Sequence, residues 1–275
     1  MTALIENAAF ERSEELASRV LELCEDMDIP HDNLAQAVTS LLVTLVDQPN
    51  TVFETMPAYR RDVPGVPVAA PAAPIASSHS FFDVIKARAS RRDFGTAELD
   101  LGRLMAILAW TFGRRGNEIA YDFRDAPLRY IPSAGGLAST DGYVIVNTVA
   151  GLSPGSYYYD YERGLIPLVH GHMAQRVAEL VPGSEWISRA SVVVICVVDT
   201  GRVSHKYGKM AGKLAMLDAG VALGHLELVA NALELRATML GGLPASDIAH
   251  LLDLPNASLV PIAGLAVGTR EGLHA

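Results

Sequence analysis

Cysteine is scarce in this chain: Cys24 and Cys196 are the only two in 275 residues, and no C-x-x-C spacing joins them. That count signals neither a disulfide framework nor a thiolate metal site, and two free thiols suit a reducing cytoplasm. Positive charge is also short. The 22 Lys and Arg are outnumbered by 31 Asp and Glu, and the net charge of −9 argues against displacing the counterions of a nucleic-acid backbone. Long hydrophobic runs are missing too: no segment approaches the roughly 20 apolar residues that span a bilayer. The opening "MTALIENAAFERSEELASRV" shows no basic stretch followed by an apolar one. The expectation is a cytoplasmic protein with no nucleic-acid or membrane partner. No GxGxxG follows a strand pattern and GxxxxGK[ST] is absent, so dinucleotide-fold and P-loop readings have no local support.

What is there is a globular composition, 50% hydrophobic and 19% charged. Residues 1–55 read as a small helical unit, with Leu16, Val20, Leu23 and Met27 at helical spacing and Pro30 interrupting before "LAQAVTSLLVTLVDQ". Residues 56–80 are rich in proline, alanine and serine, a composition that suits an extended, polyproline-like connector rather than a packed element. Residues 81–275 form the main domain. There "FFDVIKARA" and "LDLGRLMAILAWTFG" read as helices, "DGYVIVNTV" as a strand and "GSYYYDYERGLIPLV" as a hairpin. The β-branched run "SVVVICVV" reads as a strand buried on both faces. A long helix from about Met210 to Leu233, the strand "RATML", a short helix in "ASDIAHLLDL" and the strand "LVPIAGLAVG" follow. Helices and strands mixed with a hairpin give an α+β class.

Four stretches can carry chemistry. In "ARASRRDF", Arg88, Ser90, Arg91 and Arg92 offer guanidinium forks and a hydroxyl suited to a phosphate monoester, or a solvated basic helix terminus. In "IPSAGGLAS", Pro132 and Ser133 set a turn and Gly135-Gly136 leave backbone amides open to a planar ligand, or simply make a tight connection. Gly241-Gly242 close the strand "RATML" with the same two readings. In "SHKYGKMAG", Lys206 and Tyr207 stand before the long helix as acid/base equipment or as terminus decoration. His170 and His172 lack acidic or thiol neighbours, so no metal site is expected.

Taken in order, these stretches resemble the nitroreductase-type flavoproteins, and within them the SagB-type azoline dehydrogenases. The resemblance runs from about Phe81 onward. It rests on "RASRRDF", "PSAGGLASTDGYVIV", "GSYYYDYERGLIPL", "KYGKMAGKLAMLDAGVALGHLELVANALEL" and "GGL" before a short helix. It implies a nitroreductase-like FMN-binding fold, a central mixed sheet flanked by helices, in an intertwined homodimer. Arg88, Ala89, Ser90 and Arg92 would hold the FMN phosphate and ribityl chain, with Arg270 the one nearby candidate for a basic residue after the last strand. Pro132, Ser133, Ala134, Gly135 and Gly136 would line the isoalloxazine, and the Gly241-Gly242 backbone would face its N5 edge. Ala215, Ala219, Gly220, Ala222 and Gly224 would be a close-packing dimer element. The family's Lys-Tyr catalytic pair would be Lys206 and Tyr207.

The implied reaction turns a thiazoline or oxazoline into a thiazole or oxazole in a peptide natural product. One hydrogen leaves as a proton and the other as a hydride to the flavin, which dioxygen reoxidises. An unperturbed tyrosine ionises near pH ~10, and an adjacent ammonium brings it toward working range. Neighbours on a regular helix point about 100° apart, so both members can face one pocket only from a loop or a helix start. The implied partners are a second copy, a peptide substrate, and a cyclase or carrier protein. The alternatives are an NAD(P)H-dependent nitro- or quinone reductase and a non-catalytic interaction protein on the same fold.

Overall fold

The computed structural model describes residues 61–69, 75–120 and 123–271. The N-terminal helical unit expected over 1–55, and residues 56–60 and 70–74 of the connector, lie outside them. A six-stranded sheet runs through the centre in the order β5, β4, β3, β6, β8, β7. Its strands are β3 (Thr140–Val146), β4 (Gly155–Asp160), β5 (Gly164–His170), β6 (Val192–Asp199), β7 (Arg236–Leu240) and β8 (Leu259–Gly268). The two innermost strands, β3 and β6, are buried along almost their whole length. That is why β6 reads as an unbroken Val/Ile run: both alternating faces need apolar side chains, each contributing about 1.5–3 kcal/mol when fully buried.

Two helical layers cover the sheet. On one face lie α2 (Leu101–Phe112) and α5 (Ala211–Ala232), which share a core with Val144, Val146, Val194 and Leu265. On the other lie α3 (Ala174–Leu180) and α6 (Ala245–Leu251), packed with Tyr143, Ile145, Tyr158 and Ile195. The first helix, α1 (Phe81–Ala87), starts at Ser80, whose hydroxyl accepts from the Asp83 amide, and rests on α5. Asp100 caps α2 by accepting from the Arg103 amide at 2.9 Å.

The α5 pattern corrects the expected dimer element. Ala215, Ala219 and Ala222 are fully buried against the protomer's own sheet, where small side chains let the helix approach closely. Gly220 and Gly224 lie on the outer side, where an added methyl would meet nothing within 4 Å, next to exposed Leu217 and Val221. Contrary to the sequence expectation, the helical run Thr200–Ala232 contains a stretch, the one among the described residues, long and apolar enough by length and composition to cross a bilayer. Here it lies across a sheet, its alanines and Leu226 in the core.

Three further expectations change. The sheet, expected to be mixed, is antiparallel at all five pairings among the described strands. Burial on both faces, which the Val-rich β6 displays, is thus achieved here by helical layers on an antiparallel sheet. The described part of the connector is extended but packed. Val63 is buried, Val68 and Ala69 bond to Leu165 of β5, and the Arg163 guanidinium donates to the Val63 carbonyl at 2.7 Å. A hairpin of β1 (Arg114–Ala120) and β2 (Phe123–Arg129) stands apart as its own two-stranded sheet and has no counterpart in the sequence reading. "RRGNEIA" and "FRDAPLR" are charged, contain glycine and proline, and carry no alternation to betray a strand.

Candidate active site

Between β2 and β3 the chain makes a tight loop. Residues Ala134–Gly136 form a single 3-10 turn, with left-handed φ angles of 59° at Gly135 and 69° at Gly136, and 50° at Ala138. Three such residues in five need outside support. The Ser133 hydroxyl accepts from the Ala138 amide at 2.8 Å. Asp218 of α5 accepts from the Ala134 amide at 2.9 Å and from the Ser139 hydroxyl at 2.6 Å. Burial raises the Asp218 carboxyl above its ordinary range, and those two hydrogen bonds pull part of the way back.

Lys206 and Tyr207 do not open the long helix; they end a separate one, α4 (Thr200–Tyr207). Asp199 caps its start by accepting from the Gly201 amide at 3.0 Å. Its end is broken at Tyr207, whose φ of −113° and ψ of 0° leave the helical region, and at Gly208, whose φ of 47° suits glycine. This break lets two adjacent side chains converge. A methyl group placed on Gly135 would come within 2.6 Å of Tyr207 Oη and 3.0 Å of Lys206 Nζ. The Nζ atom lies 5.5 Å from the Tyr207 ring centroid. The pair and the glycine loop, about seventy residues apart in sequence, therefore form one constellation.

A buried ion network holds α4 in place. Arg202, four residues before Lys206, donates through both Nη atoms to Asp141 of β3, and its Nη1 also donates to the Ala138 carbonyl at 2.8 Å. Arg129 donates to the same carboxylate at 2.8 Å and to the Thr140 carbonyl at 2.6 Å, and Asp199 faces Arg202 Nε at 3.3 Å. Two guanidiniums and two carboxylates balance. Burial alone would raise the Asp141 carboxyl, but the charges and hydrogen bonds of Arg202 and Arg129 hold it below the ordinary range. The network closes on the end of the glycine loop, so one carboxylate ties the loop and α4 to the sheet.

The basic segment after α1 runs along the β7 and β8 ends. The Arg91 amide donates to the Ala237 carbonyl and the Gly95 amide to the Thr269 carbonyl, each at 2.8 Å. Gly95 also lies against the backbone of Arg270. Arg88 and Ser90 are exposed, Ala89 lies between them, and Arg88 Nη1 is 3.2 Å from Glu227 of α5. Arg92 goes elsewhere: its guanidinium stacks over Trp186 at 5.3 Å, a ring packed on the opposite face of the sheet. Gly241-Gly242 end β7 in the open, with nothing within 4 Å of an added methyl on either. His170 ends β5 and His172 lies in the turn after it, and no group of three or more metal-ligating residues occurs among the described residues.

Asp218 and Glu227 were missed by sequence reading. Their signal was present: acidic residues inside an otherwise apolar helix that turn out to be buried, each with a partner to fix.

Residues 85–269 match the family model described as "Nitroreductase family". A curated relative from Methanocaldococcus jannaschii, named as a nitroreductase, is 25% identical over 173 residues, covering 62% of this chain and 83% of its own. A nitroreductase-type structure from Ralstonia eutropha superposes with a TM-score of 0.61 at 19% identity, covering 82% of this chain and all of that one. One from Anabaena variabilis gives 0.58 at 23%, covering 70% of this chain, which spans only 38% of the Anabaena chain. The E. coli microcin synthetase McbBCD complex, with truncated pro-MccB17 bound, gives 0.56 at 18%, covering 77% of this chain and 79% of that one. The fold is shared with all three structures, and with a family model spanning two thirds of its length this chain belongs to the nitroreductase family of oxidoreductases.

Proposed function

We propose that the protein is an FMN-dependent dehydrogenase that converts azolines to azoles in a peptide natural product. The observation that carries the reading is the convergence of Lys206 Nζ and Tyr207 Oη on Gly135. A reductase whose hydride comes from a nicotinamide needs no such base.

The chain's donors fit the cofactor. Arg88 is exposed with one of its five donors engaged by Glu227, leaving a fork for a phosphate, and Ser90 beside it offers a hydroxyl. The left-handed Gly135 and Gly136 and the open Gly241-Gly242 present backbone that a flat ring system can approach. Ala89, between Arg88 and Ser90, and Arg270, whose backbone lies against Gly95, are the further proposed contacts, whereas Arg92 is engaged with Trp186. When bound there, FMN would supply the hydride acceptor, with dioxygen as the final oxidant. Tyr207 takes the ring-carbon proton at Oη, and the Lys206 ammonium beside it stabilises the phenolate that accepts it.

The exposed apolar residues Phe81, Phe82 and Ile85 of α1 and Leu217 and Val221 of α5 are the surface proposed for a second copy. A cyclase or carrier protein is the proposed further partner, and the cytoplasm is the proposed compartment. The McbBCD complex, similar in fold, is described with truncated pro-MccB17 bound. A second reading, an NAD(P)H-dependent reductase, is favoured by the name of the M. jannaschii relative.

The absorbance spectrum of the purified protein separates the two. The proposal expects flavin bands that bleach under anaerobic conditions with a thiazoline-containing peptide and persist with NADPH. Bleaching by NADPH and not by the peptide establishes the reductase. Protein that is colourless and cannot take up FMN overturns both.

A further inference from the structure

Asp218 is a buried acid in the middle of α5, and burial opposes its charge. With its folded pKa raised, the native state holds its proton more tightly than the unfolded chain, so this group weakens stability as pH rises through that range. A residue that costs stability at neutral pH needs another reason to be there. Its two bonds supply one. They fall on Ala134 and Ser139, on either side of Gly135, Gly136 and Ala138, the three residues in left-handed conformations. Nothing within the turn itself bonds to the Ala134 amide, which points at the carboxylate.

We propose that Asp218 is a positioning residue: its carboxylate clamps both ends of the Ala134–Ser139 turn to α5 and so sets the approach of Gly135 to Tyr207 Oη and Lys206 Nζ. This rests on the proposed function for its consequence in catalysis, though not for the clamp. The start of α5 follows the Lys-Tyr pair by three residues. The pair thus stands at the end of α4, and the loop's anchor lies two turns into α5. The clamp keeps the loop from relaxing away from the base.

The test uses the full-length protein as isolated, with Asp218→Leu, Asp218→Asn and Ser139→Ala. An asparagine at this position can still accept from the Ala134 amide and donate to the Ser139 hydroxyl, which rotates to accept; leucine fills the volume and makes neither bond. Amide hydrogen exchange of residues 132–139 should quicken at least about tenfold in Asp218→Leu and stay near wild type in Asp218→Asn. The rate of flavin bleaching by a thiazoline peptide should fall at least about tenfold in Asp218→Leu, with peptide affinity held within about threefold, and recover in Asp218→Asn. Should Asp218→Leu fail to fold, Ser139→Ala, which cuts one bond, should raise exchange locally by about threefold. Unchanged exchange in Asp218→Leu, or in Ser139→Ala if leucine is not tolerated, overturns the clamp; so does an Asp218→Asn protein as impaired as the leucine variant. A wild type without flavin defeats the functional reading while the exchange comparison still judges the clamp.

Discussion

Asp141→Asn is expected to cost about 3–5 kcal/mol of stability, because it leaves two buried guanidiniums facing a neutral amide. Arg129 and Arg202 are both almost fully buried, and each forms an ion pair with this one carboxylate. Removing a single guanidinium is milder. Arg202→Met leaves Asp141 paired with Arg129 and should lose less than the asparagine variant, although it frees α4 and with it Lys206. The acid side of the stability curve offers an independent check. A carboxyl held below its ordinary pKa contributes stability that is fully present above about pH 4 and drains away as pH falls through the lower folded value. Denaturant melts between pH 2 and 7 should show that acid limb in wild type and a shallower one in Asp141→Asn. A variant as stable as wild type would mean that the network is an ornament of the fold.

Gly135→Ala should abolish most activity at modest cost to the fold. Its φ of 59° is open to glycine and costs an alanine roughly 1–2 kcal/mol. The larger effect is steric, since the new methyl would sit 2.6 Å from Tyr207 Oη and 3.0 Å from Lys206 Nζ. Both are ends of flexible side chains, so they will yield rather than unfold the protein. Displacing a base by about 1 Å can cost a hundredfold in rate. The expected result is a folded protein whose peptide-driven flavin bleaching is about a hundredfold slower. Wild-type rates from this variant would remove Gly135 and the pair from a common site.

The central sheet was legible because its chemistry is local. The Val/Ile run of β6 needs only the knowledge that both faces are apolar, and the tyrosine-rich β4 with the "ERG" turn announces a hairpin. The β1/β2 hairpin was not legible, since its register comes from pairing between two charged segments and not from a buried face. The start of α5 was read to within a residue, but α4 before it went unread for a different reason. Helical periodicity continues through "SHKYGKMAG", and only the left-handed Gly208 shows where it breaks. In the site, resemblance picked out the glycine loop and the Lys-Tyr pair, but it also grouped Arg92 with Arg88 by proximity in sequence. Four residues of extended chain past a helix end can change faces of a sheet, and Arg92 does so, finding Trp186. Asp218 stayed unseen because its partners, Ala134 and Ser139, are ordinary residues whose bonds exist only in the folded chain.

The most direct trial of the account is the anaerobic stopped-flow rate at which a thiazoline peptide bleaches the flavin in wild type, Tyr207→Phe and Lys206→Ala. A positioned base contributes about 10²–10⁴-fold, so the account predicts a loss of at least about a hundredfold in Tyr207→Phe and a smaller but clear loss in Lys206→Ala, with FMN still bound. Equal rates in all three proteins would contradict it: the convergence on Gly135 would then be packing, and the proton would leave by another route.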